Sequence, residues 1–188
     1  ELEEILELYP VKRKTEIQDE VERVEIDEQE LIENEEVKFV ISKDGYIKRS
    51  SLKSFQATQS ETGLKENDLV LKQCTLNTRD QIIIFTSYGN FILLPAYKVP
   101  DLKWRDNGEY ISNFAHLEPS EKVVDFLVVK NFDTDKAVLL ANQEGQIKQV
   151  MIEEFSKTRI NRTYNCIPAS KINPLVSVDL REDYDRDI

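Results

Sequence analysis

The chain repeats one short phrase three times, and this repetition constrains its fold more than any other feature. Each copy is an apolar run, a turn with one glycine and a second run, at Lys38–Lys48, Ile82–Ile92 and Val138–Lys148. Three of the five glycines occupy this turn, 44 and 56 residues apart. They are Gly45, Gly89 and Gly145. Because one hairpin cannot bury its own apolar face, such copies must stack on one another. The sequence therefore predicts an all-β array.

A third β-type segment recurs around the hairpins. It occurs at Asp68–Thr78 and Val123–Thr134, each leading into the next hairpin, and at Leu175–Leu180, which no hairpin follows. These segments are rich in β-branched and aromatic residues and are bounded by turn residues, as strands are. The pattern predicts a unit of approach strand, hairpin and exit segment. On this interpretation the array begins and ends in mid-unit, and we expect either that it is a piece of a longer protein or that another segment completes it.

Residues 1–36 differ in composition from the rest of the chain and predict a short helical N-terminal linker. The β domain is predicted at 37–188. Glu1–Leu8 has the spacing of the end of a helix, and a capping box at Thr15 predicts another over residues 16–26, with Asp27 capping a further turn. The linker holds 15 acidic and 4 basic side chains. Two interpretations stay open: a solvated linker surface, which we favour, or an acidic segment that competes for a basic surface.

The charge of the β domain differs from that of the whole chain. The formal net charge is −11, but Val37–Val178 holds 19 basic and 16 acidic side chains. The acidity is concentrated in the flanks, and the body is mildly basic. A polyanionic partner is therefore compatible with the domain, although the total charge suggests otherwise.

Several functional classes lack support in the sequence. No apolar run approaches the roughly 18 residues of a membrane span, and the first residues lack the pattern of a signal peptide. Cys74 and Cys166 lie far apart, and His116 is the one histidine, which argues against a disulfide framework or a His/Cys metal site. Asp133 and Asp135 sit in a turn, where aspartate is favoured for backbone reasons. We expect no catalytic residue, metal or cofactor in this segment, and a reducing, cytoplasmic location.

Six longer sequence motifs show a specific resemblance to a known family. The chain resembles the C-terminal domain of bacterial type IIA topoisomerase A subunits, the family shared by gyrase and topoisomerase IV. Within that family it is similar to the topoisomerase IV branch of Gram-positive type. The phrases are KRKTEI at 12–17, DEQELI at 27–32, SKDGYIKRSSLKSF at 42–55, TGLKENDLVLK at 62–72, PDLKWRDNGEYIS at 100–112 and FSKTRINR at 155–162.

The resemblance implies a β-pinwheel, a propeller-like ring of four-stranded antiparallel blades, of which about two and a half to three are present here as a partial ring. It implies a domain that binds and bends duplex DNA for ATP-dependent strand passage, with the catalytic tyrosine elsewhere in the protein. The implied partners are duplex DNA, the B subunit of topoisomerase IV and a second A subunit, with no membrane. Gyrase A subunits carry a glycine- and arginine-rich box just after the hairpin of the first blade. Gln56–Leu64 is the matching stretch here, but it lacks the arginines, and only Gln56 or Gln59 and Gly63 agree with the box. This difference favours decatenation and relaxation over supercoiling.

The candidate DNA contacts are lysines and arginines, because cations that neutralise phosphates bind duplex DNA with little regard to sequence. Eleven are predicted: Lys43, Lys48, Arg49, Lys53, Lys98, Lys103, Arg105, Lys148, Lys157, Arg159 and Arg162. Lys148 repeats the position of Lys48, three residues past the glycine, whereas the second hairpin has Ile92 there. Trp104 could stack on a nucleotide, but packing within a connector is the favoured interpretation.

Two other functions compete with DNA binding. A protein-interaction propeller would show an exposed apolar or aromatic patch in place of a basic surface. An enzyme in its own right is weakly supported, because the sequence shows no combination of nucleophile and base, metal ligands or phosphate-binding loop.

Overall fold

The computed structural model describes residues 32–58, 62–160 and 162–181, and these form three antiparallel sheets. The strands are β1 Glu36–Ser42, β2 Tyr46–Ser51, β3 Val70–Asn77, β4 Gln81–Thr86, β5 Asn90–Pro95, β6 Glu109–Tyr110, β7 Val123–Val129, β8 Ala137–Asn142, β9 Ile147–Met151, β10 Thr163–Asn165 and β11 Leu175–Arg181. One α-helix, α1, spans Leu52–Ala57 in this part of the chain, with 3-10 helices at Ala96–Lys98, Ile111–Asn113 and Ile152–Phe155.

Each repeated phrase forms the hairpin at the centre of one sheet, or blade. Blade 1 has the strand order β3-β1-β2-β6, blade 2 the order β10-β5-β4-β7, and blade 3 the order β11-β8-β9. The turn glycines have φ values of +88°, +72° and +83°, where a side chain would be strained. The predicted hairpin array is confirmed, and the glycines are explained by their left-handed backbone.

The predicted division into units is wrong in one respect. The segment before each hairpin does not belong to that hairpin but to the preceding blade: β3 pairs with β1, and β7 pairs with β4. In the same way β11 pairs with β8 of blade 3. Each of the three hairpins, including the first and the last, therefore pairs with the β segment that follows it in the chain. The prediction failed because sequence order shows which segments follow each other, not which ones hydrogen-bond.

A fourth strand reaches each of the first two blades from farther along the chain. β6, which follows the second hairpin, pairs with β2 of blade 1. β10, which follows the third hairpin, pairs with β5 of blade 2. These exchanged strands connect the blades. Within the described residues, blade 3 has three strands, and β9 pairs with β8 alone.

The core lies in two layers between the blades, and β4 supplies both. Ile82 and Ile84 pack into the layer shared with blade 1, whereas Ile83 and Phe85 pack into the layer shared with blade 3. All four side chains are fully buried. Successive side chains of a strand point to opposite faces, so the continuous apolar run IIIF is the expected pattern for a blade covered on both sides.

The outer face of blade 1 is closed by a cover, which we define as α1 together with the connection 99–106. Ser51 caps α1 by accepting a hydrogen bond from the Ser54 backbone N–H. The Ser54 hydroxyl accepts one from the Trp104 N–H at 3.0 Å. Trp104 is fully buried and packs edge-on against Phe55, with ring centroids 5.0 Å apart. The packing interpretation of Trp104 is therefore correct, whereas α1 was not predicted.

Several predictions concern residues outside the described ranges. These are the helices at Glu1–Leu8 and 16–26, the Asp27 cap, most of the acidic linker, and Gln59 in the stretch that matches the gyrase box. The boundary between residues 36 and 37 also stays a prediction. Among the described residues, no helix has the length and apolar character to cross a membrane.

Candidate nucleic-acid interface

A groove of about 650 Å³ lies where blades 2 and 3 meet, at the strand ends opposite the glycine turns. Four cations line it, and Asp133 is the one carboxylate among its lining residues. The four are Arg79, Lys98, Lys130 and Lys157. Tyr97 and Phe132 add aromatic surface. This excess of positive charge makes the groove the strongest candidate for binding a polyanion.

The first two cations are held by short turns. Arg79 lies in the tight turn between β3 and β4, where Asp80 accepts a hydrogen bond from the Asn77 N–H at 2.8 Å. The Nε and Nη2 atoms of Arg79 donate to the Ile32 carbonyl at 2.9 and 2.7 Å. Lys98 ends the 3-10 helix after β5, with its Nζ 5.8 Å from the ring centroid of Tyr97.

The other two cations follow the ends of β7 and β9. Lys130 directly follows β7, in front of a turn in which the Asp133 N–H donates to the Asn131 side chain at 2.9 Å. Lys157 lies two residues past the buried Phe155, with its Nζ 5.9 Å from the ring centroid of Tyr164. The four cations are exposed and come from four separate segments. Strand pairing within blade 2 places Arg79, Lys98 and Lys130 at one edge, because Gln81 pairs with both Pro95 and Val129. The packing of blade 3 against blade 2 adds Lys157.

The structure separates the eleven predicted contacts into different locations. Lys98 and Lys157 lie in the groove, and Lys53, Lys103 and Arg105 lie exposed on the cover of blade 1. Lys43 lies at the opposite end, beside the first glycine turn, and lines a smaller cleft of about 340 Å³ with Lys65 and Lys122. That cleft also contains Asp44 and Glu121, so its charge is mixed. Arg159 and Arg162 are exposed after Lys157.

Lys48 has a structural position and is withdrawn as a phosphate contact. Its side chain is only 1% exposed. Its Nζ donates to three backbone carbonyls: Gly63 at 2.9 Å, Trp104 at 2.6 Å and Asp106 at 2.5 Å. Burial lowers the pKa of the Lys48 ammonium from 10.5 to about 8, against the opposing effect of the Asp106 carboxylate. The alternation of side chains along a strand does not predict the burial of Lys48, because the three carbonyls that accept its hydrogen bonds lie in distant segments.

Two more predicted contacts are engaged with the protein itself. The Nε of Arg49 donates to the Val99 carbonyl at 2.8 Å, and its guanidinium lies 3.8 Å from the Asp101 carboxylate. The side chain of Arg49 is mostly buried. Lys148 is exposed, but its Nζ donates to the Cys166 carbonyl at 2.7 Å. Both Lys48 and Lys148 thus hold a connecting segment by its backbone.

Arg79 and Lys130 are groove residues that sequence reasoning missed. Arg79 lies in the turn between β3 and β4, and Lys130 directly follows β7. A usable signal was present: Arg79, Lys98, Lys130 and Lys157 all follow the end of a strand at the same edge of the array. Recognising it required knowing which strands share a blade.

Comparisons with known proteins agree on the family. The model of the DNA gyrase C-terminal domain, a β-propeller, matches residues 39–70 and 80–130. The A subunit of DNA topoisomerase 4 from Staphylococcus aureus is 34% identical over 179 residues, covering 95% of this chain. The same protein from S. aureus strain MRSA252 is 33% identical over the same length. The chain spans about a fifth, 22%, of the length of these relatives.

Solved structures show the same architecture. The crystal structure of the C-terminal domain of DNA topoisomerase IV superposes with a TM-score of 0.74 at 26% identity, covering 80% of this chain and 47% of that one. The E. coli ParC C-terminal domain gives a TM-score of 0.64 at 16% identity, covering 79% and 58%, and this similarity concerns the fold alone. The fold is therefore the β-pinwheel that the resemblance implied, and the chain belongs to the family of C-terminal domains of topoisomerase IV and gyrase A subunits.

Proposed function

We propose that this domain binds duplex DNA through its phosphates and holds it for strand passage by a type IIA topoisomerase. The observation that supports this best is the groove with four cations and one carboxylate. Cations that replace condensed counterions bind duplex DNA with an affinity that depends strongly on salt. The contacts to phosphate position the duplex without reading its sequence, which suits an enzyme that acts at many sites.

The chemistry of strand passage belongs to other parts of the proposed enzyme. We assign no catalytic residue, metal or cofactor to this segment, and we place the catalytic tyrosine and the ATP-dependent steps outside it. The partners would be the B subunit of topoisomerase IV and a second A subunit, in a cytoplasmic, chromosome-associated complex. Bending of the bound duplex, decatenation and relaxation follow from family membership as proposals for the whole enzyme.

A salt titration tests the proposal. Fluorescence anisotropy of a labelled duplex of about 30 base pairs would be measured with the full chain at several salt concentrations. If the four groove cations each neutralise one phosphate, they contribute about −3.6 to the slope of log K against log salt. In the double variant Lys98→Gln with Lys130→Gln, this slope should become shallower by about 1.8.

The matched control removes the same charge elsewhere. Lys65 and Lys122 are exposed lysines at the glycine-turn end, remote from the groove lining. Changing both to glutamine should alter the slope by less than half as much. Absence of binding at about 50 mM salt by the folded chain would refute the proposed function. Equal effects of the two double variants would refute the assignment to the groove.

A second candidate, a protein-interaction scaffold, is favoured by one observation. Ile147 and Ile172 in and near blade 3 are 69% and 89% exposed, and Val176 is also exposed. Exposed apolar residues of this kind are typical of docking surfaces. We rank this function second because Ile147 lies on β9, in the position where β2 and β5 receive an exchanged strand in the other blades.

A further inference from the structure

We infer that Lys48 and Gly63 are positioning residues that present Lys103 and Arg105 to DNA. This inference rests on the proposed DNA-binding function and extends it to the cover of blade 1. The three residues 103–105 alternate between outside and inside: Lys103 and Arg105 are exposed, whereas Trp104 between them is fully buried. The orientation of the Lys103 and Arg105 side chains therefore depends on the contacts that hold Trp104 and the neighbouring backbone in place.

The Lys48 ammonium fixes this segment from below. It donates to the carbonyls of Trp104 and Asp106, on either side of Arg105, and its Nζ lies 5.2 Å from the Trp104 ring centroid. The segment is also closed by its own turn, in which the Asp106 N–H donates to the Lys103 carbonyl at 2.9 Å. With Lys48 in place, the backbone that carries both cations has few alternatives.

Gly63 fixes the same segment from the side. Its N–H donates to the Trp104 carbonyl at 3.0 Å, and its own carbonyl accepts from Lys48. A Cβ atom at Gly63 would lie 1.8 Å from the Arg105 carbonyl oxygen and 2.9 Å from that of Asp106. Only glycine allows this approach, so an alanine must displace the backbone of Arg105 without removing any charge.

The other end of the connection is bound to β2. The Arg49 N–H donates to the Pro100 carbonyl and the Leu102 N–H to the Arg49 carbonyl, both at 3.0 Å. The connection is thus attached on both sides of Lys103. Cations on such a segment lose less conformational entropy on binding than cations on a loose loop, so their contacts contribute more to affinity.

The test uses the full chain and three changes at the cover. The double variant Lys103→Gln with Arg105→Gln removes the two cations and should make the salt slope shallower by about 1.8. Lys48→Met and Gly63→Ala leave both cations present. We expect each to weaken duplex binding at about 100 mM salt by at least threefold and to make the slope shallower in the same direction. Circular dichroism and tryptophan fluorescence would establish that each variant is folded under the binding conditions.

Non-additivity distinguishes positioning from general destabilisation. When Lys48→Met or Gly63→Ala is added to the double variant, affinity should fall by less than twofold further, because the cations that these residues position are already gone. The control is Lys72→Met. The Lys72 ammonium also holds a carboxylate and a carbonyl, those of Asp125 and Phe126 at 2.7 and 3.0 Å, but outside the cover. Its effect should be independent of the double variant.

Each outcome either supports or overturns the inference that Lys48 and Gly63 position the two cations. Additive losses for Lys48→Met, or a double variant that binds as well as wild type, would overturn the inference and leave the groove-based function standing. A folded wild-type chain that does not bind DNA would overturn both. Non-additive losses for Lys48→Met and Gly63→Ala, with an additive loss for Lys72→Met, would support it.

Discussion

Replacing the buried Lys48 by methionine gives the most direct stability test of blade 1. Methionine keeps an unbranched apolar stem but cannot donate to the three carbonyls that surround the ammonium. The Trp104 carbonyl would keep the Gly63 N–H as a donor at 3.0 Å. The carbonyls of Gly63 and Asp106 would lose their principal donor, and these two determine the cost.

The magnitude follows from two opposing contributions. A fully buried polar group left without a partner costs about 1–3 kcal/mol, so about 2–6 kcal/mol is the upper range for these two partly buried carbonyls. Removing the ammonium also relieves its desolvation. The fall in its pKa from 10.5 to about 8 puts this relief at up to about 3 kcal/mol. We therefore expect the free energy of unfolding to fall by about 2 kcal/mol at pH 7.

The assay uses the single tryptophan of the chain, whose ring lies against the residue being changed. Urea unfolding followed by Trp104 fluorescence reports the cover of blade 1. A loss of about 2 kcal/mol moves the midpoint by about 1 M if the m-value is about 2 kcal/mol/M. The matched control is Lys148→Met, at the same repeat position, where an exposed lysine donates to one carbonyl. Its loss should be below about 1 kcal/mol.

Equal losses in the two variants would refute this reasoning. So would a Lys48→Met chain as stable as wild type, since that would mean that the carbonyls of Gly63 and Asp106 find other donors. A changed m-value would instead indicate a changed denatured state or a loss of two-state unfolding, and in the second case the comparison applies to blade 1 alone.

Three further predictions concern the same framework. Because folding lowers the pKa of Lys48 from 10.5 to about 8, the unfolded chain binds more protons between these values. The stability of wild type relative to Lys48→Met should therefore rise from pH 8 to pH 10.5, by up to about 3 kcal/mol in urea titrations. Gly89→Ala should cost more than Gly145→Ala in the same titrations. A Cβ at Gly89 lies 2.1 Å from the Ile167 carbonyl, whereas one at Gly145 meets nothing within 4 Å and adds only backbone strain. The buried Cys166 thiol, whose pKa burial raises to about 12, should react with maleimide only as the chain unfolds, as mass spectrometry of timed samples would show.

Local features of the fold could be predicted from the sequence because their causes are local. A glycine between two apolar runs predicts a hairpin, since few other residues adopt a positive φ at the turn. The apolar run Ile82–Phe85 likewise predicts a strand buried on both faces. For the site, Lys98 and Lys157 are among the cations that the sequence predicts as phosphate contacts, and both line the groove.

The sequence alone determined the three hairpins, their apolar faces and the mildly basic body, because each depends on neighbouring residues. The tertiary structure decided which strands pair, and it gathered Arg79 and Lys130 beside Lys98 and Lys157 in one groove. It also decided that Lys48 and Lys148, alike in sequence position, differ in burial. The physical reason is the same in each case. Strand exchange and blade stacking join segments far apart in the chain, so burial and hydrogen-bond partners are set by contacts that local sequence does not encode.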